Sequence, residues 1–317
     1  EVGRLMARYC ITYDTMNKFS SLEGTESLGD LVNTVAGCKE FQDVTLRINE
    51  RKTLNTLNKD KHRATVRFAM DGKIKTGQMK VNCLIQAALG CLPIQDFGLN
   101  QDTNKIFRAG TRVSKCLTEF LMHRPGFRVL LNATLLSKCF RSRLWENSKF
   151  VAKQLDKIGL TLATALFNAS LTSFQKIEET NPREIELIVN RHPPFGNQVH
   201  EAVSHLPKYE LAIEQGARYS PAVAELTIVI SLNNYQSLKD KATAGKNHMC
   251  VLLIGDADNN VLCKQRLSDS TLMNSGTWTK KVEVKRANKG DDLSINFISQ
   301  DYVGLDVQST YTPFYSG

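Results

Sequence analysis

The chain has no apolar run near the ~20 residues that a membrane-spanning helix needs. Its best stretches, CLIQAALGCLPI and CVLLIG, stop well short. No signal-peptide pattern heads it, and it opens on Glu1 in mid-pattern, so we expect a piece of a longer protein. Its 8 cysteines include no C-x-x-C pair. Most sit in apolar surroundings, where a free thiol behaves as a small hydrophobe. Such scatter argues against zinc and for a reducing compartment. The 6 histidines are as scattered, and none stands at a ligand spacing from a cysteine. The sequons at Asn132 and Asn168 fall inside helical patterns, so we expect them to be unused.

Catalytic grammar is missing as well. There is no G-x-x-x-x-G-K-[ST] phosphate loop, no Rossmann glycine fingerprint and no acidic D-E-x-H-type box for magnesium. DADNN places Asp256, Asp258 and Asn260 like the start of a calcium loop. Val261 and Leu267 then stand where such a loop needs Gly and Glu, so a hairpin turn is expected. No Ser or Cys has a readable His/Asp pairing. These absences favour a binding or scaffolding module with no catalytic residue, metal, cofactor or small-molecule substrate of its own, and no membrane partner.

What is present is an ordinary soluble composition, 42% hydrophobic and 23% charged, at a length of 317 residues that suits two or three domains. The net charge is +9, and the excess sits between about residues 41 and 160. A local basic excess points to a polyanionic partner, although any single cluster can be a solvated face.

Three grammars follow one another. Residues 1–145 read as helices: SLGDLVNTVAG puts Leu28, Leu31, Val32 and Val35 on one face and closes on Gly37. KVNCLIQAALG repeats the design with Val81, Leu84, Ile85 and Ala88, closing on Gly90. FRVLLNATLLSKCFRSRLW is a further helix, while HRATVRFAMDGKIKTGQMK has no clear period and reads as a polar connector. Residues 146–207 are shorter helices: Asn181-Pro182 starts one, HPPFG breaks it, and NQVHEAVSHLP starts another with Asn197 as a possible N-cap. From about Tyr209 the period becomes two. AELTIVISL, MCVLLIG…VLCKQRL, TWTKKVEVKR and DDLSINFIS are short strands with turn signals between them, the mark of a β-sandwich over 208–317.

Two features carry binding chemistry. Asp102–Leu121 reads as a helix with an apolar stripe at Ile106, Gly110, Val113, Leu117 and Leu121. Opposite it run Lys105, Arg108, Arg112 and Lys115, a rail suited to sequence-blind, salt-dependent grip on phosphates. Glu119, one turn beyond Lys115, weakens the rail, and Lys138, Arg141 and Arg143 in the next helix reinforce it. The second feature is NRHPPFGNQVH, a glycine turn feeding a helix N-terminus, where free N–H groups can hold an anion. Gly196, Asn197 and Gln198 are the candidates, although only one glycine is present and Pro193 and Pro194 lack donors. A purely structural hairpin is an equal alternative.

These stretches together resemble a known family. GRLMARYCITYDTMNKF resembles the opening of the Sec-sixty-three homology unit of Ski-two-like superfamily-two helicases. EFQDVTLRINERKTLNTL resembles its next helix through Glu40, Phe41, Arg47, Glu50, Leu54 and Leu57. LIGDADNN is similar to its β-domain hairpin, and SQDYVGLD to its closing motif, with Gln300 as an extra residue before Asp301. The resemblance implies a multidomain α + β fold. A helical bundle with a ratchet helix (1–145) precedes a helix-hairpin-helix domain (146–207) and an immunoglobulin-like, fibronectin-III-like sandwich (208–317). It further implies that Asp102–Leu121 is the ratchet helix touching a translocating single strand, and that Arg47 and Glu50 form a structural ion pair. DGKIKTGQMKVNCLIQAALGCLPIQDFGLNQDTNKIFRAGTR and NRHPPFG resemble the branch of DNA helicases acting in meiotic crossover more than the spliceosomal RNA helicases. That branch implies a nuclear protein acting on single-stranded or branched DNA. Its ATP and Mg would be bound outside this fragment, and its sandwich would recruit recombination proteins. A protein-interaction scaffold and an RNA-helicase unit are the alternatives.

Overall fold

The computed structural model describes residues 1–241 and 247–316. They fall into two compact units, Glu1–Glu146 and Asn147–Gly317. The first is helical: α1 (Val2–Tyr9), α2 (Tyr13–Ser20), α3 (Leu28–Ala36), α4 (Arg51–Asn58), α5 (Gly77–Leu89), α6 (Phe97–Leu121) and α7 (Phe127–Ser142). Side-chain caps set several starts. Ser27 and Asp30 exchange backbone hydrogen bonds in a capping box ahead of α3. These bonds hold the Asp30 carboxyl below its usual range. Thr76 caps α5 and Asp96 caps α6. The Asp96 cap explains why α6 begins five residues before the rail pattern becomes legible.

Gly37 and Gly90 do end their helices, but neither is left-handed, with φ of −86° and −87°. A Cβ at Gly37 would lie 2.8 Å from the Gln78 amide, the end of an exposed side chain that would have to turn aside. α5 is not one-faced as its pattern suggests. Lys80, Asn82 and Gln86 are buried along with its apolar residues. They are tolerated because each is hydrogen-bonded. The Gln86 side chain also accepts from Phe68 N and donates to Phe68 O, at 2.7 and 3.0 Å. Asn58 does the same to Met70, at 2.8 and 2.9 Å. The connector over residues 59–76 has no regular structure, yet these buried amides supply the pairing that a strand would have supplied.

The second unit opens with α8 (Leu160–Asn168), α9 (Phe174–Glu179), α10 (Pro182–Val189) and α11 (Phe195–Ser204). Leu166, Ile177, Ile185, Val199 and Val203 make their shared core. Two antiparallel sheets follow. One is ordered β1-β2-β5 (Tyr209–Tyr219, Val223–Leu232, Thr277–Lys285). The other is ordered β4-β3-β6-β7 (Val261–Ser268, Met249–Gly255, Leu293–Ser299, Val307–Tyr311). The alternation in β2 is realised, with Leu226, Ile228, Ile230 and Leu232 all in the core between the sheets. α12 (Tyr235–Asp240) and α13 (Asp269–Met273) interrupt the strands and were not foreseen. At the DADNN turn, Asp256 accepts from the N–H groups of Asp258 and Asn260. Asp258 accepts from those of Asn288 and Lys289, so these carboxylates serve turns. A helical bundle followed by a β-sandwich is thus the architecture.

Candidate nucleic-acid interface

α6 is built as its two stripes demand. Ile106, Gly110, Val113, Leu117 and Leu121 are buried. Lys105, Arg108, Arg112 and Lys115 are all exposed on the opposite side. The helix lies close to α7 because residue 110 is glycine. A Cβ there would fall 2.3 Å from the Phe140 ring. The periodicity located the rail, but it could not say which cations have a second task.

Two of the four do. Lys105 pairs with Asp43, 62 positions earlier, and the bond lowers the Asp43 pKa. Both side chains are more than half exposed, so the pair contributes little to stability. Arg112 donates from one Nη1 to the carbonyls of Tyr9 and Cys10, each at 2.9 Å. Cys10 is the left-handed cap of α1 (φ 53°), so Arg112 serves the last carbonyls of that helix, where a cation is favoured. Among the described residues, Arg108 and Lys115 are the rail cations for which no such duty is seen.

The reinforcing group divides. Arg143 leaves α7 in a left-handed cap, donates to Asn104 Oδ1 at 2.9 Å and lies 4.6 Å over the Phe107 ring. It therefore flanks the rail beside Asn104, half-buried, with desolvation lowering its pKa. Arg141 is exposed. Lys138 is corrected: it is only 1% exposed and cannot reach a strand. Its place in the sequence looked like part of a basic tail, but α7 carries it on a buried face.

The hairpin candidates are corrected too. α11 starts at Phe195 rather than at an Asn197 cap. The Gly196 N–H, which a phosphate would need, donates to the buried Glu186 carboxylate at 2.9 Å. An anion would meet that charge. Arg183 stands 3.0 Å from the other Glu186 oxygen, which lacks a well-aligned hydrogen bond, and also contacts Asn197 Oδ1. Gln198 contributes its N–H to the Pro194 carbonyl. Gly196 is glycine because a Cβ would sit 1.9 Å from the Pro182 carbonyl oxygen. The turn therefore packs two helices and binds its own chain.

Sequence reading missed the foot of the rail. Lys80 is 0% exposed and donates to Thr45 O at 2.9 Å, Glu50 Oε2 at 2.7 Å and Asp102 Oδ2 at 2.8 Å. Arg47 joins the same two carboxylates. Burial pushes the Glu50 carboxyl up, but the bonds from Lys80 and Arg47 outweigh it and leave the pKa lowered. The expected Arg47–Glu50 pair is thus half of a four-residue network. It ties the Ile48–Glu50 turn and α5 to α6 one turn before Lys105. No local signal links Lys80 and Asp102 to that pair, since both lie far from it in the chain.

A family profile described as "Sec63 Brl domain" matches residues 1–312. The chain is 58% identical over 316 residues to the probable ATP-dependent DNA helicase HFM1 of Homo sapiens, covering 99% of this chain and 22% of that protein. It is 29% identical over 324 residues to the ATP-dependent DNA helicase homolog MER3 of Arabidopsis thaliana, covering 98% and 28%. Identity to the U5 small nuclear ribonucleoprotein 200 kDa helicase of Homo sapiens is 26% over 265 residues, covering 83% and 12%. The chain therefore spans about a quarter or less of the length of these relatives.

Proposed function

Because the chain belongs to the Sec63 Brl domain family, we propose that it is the non-catalytic C-terminal module of an ATP-dependent DNA helicase in meiotic recombination. In this reading α6 is the ratchet helix. Lys105, Arg108, Arg112 and Lys115 lie along the sugar-phosphate backbone of a single strand, with Arg141 and Arg143 at its flank. Such contacts position a strand without reading its bases. The observation that carries the reading is the exposed four-cation row on a helix whose opposite face is fully packed. The parent protein would bind ATP and Mg through residues outside this chain and work in the nucleus. The helical bundle, the short-helix segment and the sandwich would divide the labour, with the sandwich recruiting recombination proteins. Greater identity to DNA helicases than to the U5 helicase favours DNA over RNA.

Engagement of Lys105 by Asp43 and of Arg112 by α1 favours the second reading, a protein-interaction scaffold. Fluorescence anisotropy of a labelled oligothymidine strand over a salt series separates the two. The variant to use is Arg108→Ala with Lys115→Ala, because Arg112→Ala would also disturb α1. Each lost phosphate contact flattens the slope of log K against log salt by about 0.7 for single strands, so about 1.4 is expected. Absent binding at low salt, or an unchanged slope, supports the scaffold.

A further inference from the structure

α1 lies beside α6 and is tied to it at both ends. Arg112 of α6 holds the Tyr9 and Cys10 carbonyls at the C-terminal end of α1. Glu1, at its start, contacts His123 just past the end of α6, with Oε1 3.0 Å from Nε2. The two helices are therefore antiparallel. Packed helices run about 8–10 Å apart, close enough for their outer side chains to share one ligand.

Leu5 is the buried residue of α1. Glu1, Arg4 and Arg8 recur at helical spacing and form one stripe. Glu1 reaches His123, which assigns this stripe to the flank of α1 nearest α6. Arg4 and Arg8 are both exposed. Arg4 meets Glu1 at 3.8 Å, a loose contact, with Arg4 largely in solvent. Arg8 rests 5.3 Å from the centre of the Tyr9 ring, whose carbonyl Arg112 holds. Arg8 immediately precedes the residue whose carbonyl Arg112 holds, although 104 positions separate Arg8 and Arg112 in sequence.

We propose that Arg8, with Arg4 one turn before it, forms a second row of phosphate-binding cations beside the α6 rail, so that single-stranded nucleic acid is held between two helices. The assignment rests on the single-strand reading above and adds residues to it. In this arrangement Arg112 also positions α1: its Nη1 holds the Tyr9 and Cys10 carbonyls and sets the spacing between the rows. A two-row track grips a flexible backbone from both sides, which one row of point charges cannot do.

The test uses the full 317-residue chain and labelled oligothymidine. Arg4→Gln with Arg8→Gln is expected to weaken binding and flatten the salt slope by about 1.4, with an unchanged melting temperature. Arg8→Gln alone should account for about half, and Arg8→Lys should keep the slope. If the double variant binds like wild type while Arg108→Gln with Lys115→Gln loses affinity, the second row is wrong and the rail stands. Equal losses for Arg8→Lys and Arg8→Gln would also overturn it, since charge would not be the cause. If wild type shows no salt-dependent binding, the rail and the second row fall together.

Discussion

At the scale of single residues, the same side-chain chemistry does different work according to what lies within a few ångströms. Arg108 and Arg112 are one turn apart on the same exposed stripe, yet Arg112 satisfies two carbonyls of another helix. Arg112→Ala should therefore destabilise the bundle by about 1 kcal/mol, below the full value of a charged hydrogen bond because the site is exposed. Arg108→Ala should leave stability unchanged, and urea unfolding of the two variants reads the difference. Gly110 presents the opposite case. It looks like a weak point in a 25-residue helix, but it leaves room for the Phe140 ring of α7 against α6. Gly110→Ala forces the Phe140 ring aside and should cost about 1–3 kcal/mol of overpacking. Phe140→Leu in the same chain should return part of it, measured by the same unfolding curves.

Elements are held in register here by polar groups as much as by apolar faces. Lys80, Glu50, Asp102 and Arg47 lock the start of the rail helix to α5. Lys80→Met leaves two carboxylates without their buried partner and should cost about 3–5 kcal/mol. The pH dependence has a definite sign. The folded Glu50 pKa lies below the ordinary glutamate value of 4.5, so its stabilisation is complete above that value. It is lost as pH falls through the folded pKa. The urea midpoint should drop on acidification from pH ~5 to pH ~3, and less so in Glu50→Gln, whose folded state has no such carboxylate to protonate. The α10–α11 hairpin shows the same in another form: of the two readings its sequence left open, a phosphate clamp or a structural turn, Glu186 of α10 itself supplies the anion at the N-terminus of α11.

For the whole molecule, the reading predicts a division between binding and turnover. In the full-length parent, Arg108→Ala with Lys115→Ala should leave basal ATPase intact, because the proposed reading assigns nucleotide binding to residues outside this chain. Stimulation by single-stranded DNA should fall several-fold, as should unwinding. Loss of basal activity together with stimulation would mean that the variant disturbs the enzyme in general, and unchanged stimulation would remove α6 from the strand's path.

The order of helices before strands, the apolar stripe of α6, the alternation of β2 and the exposed cation row were all legible in the sequence. Each depends on a repeat of 3.6 or 2 residues along a short stretch of backbone, and such a repeat is a local property. Tertiary structure alone decided that Lys138 is buried, that Glu186 fills the Gly196 turn and that Lys80 binds Asp102. It alone brought the C-terminal end of α1 to Arg112. Periodicity tells a side chain which way to face, but its partner is whatever a distant segment brings there. That is set by how helices with few close-packing options exclude water together.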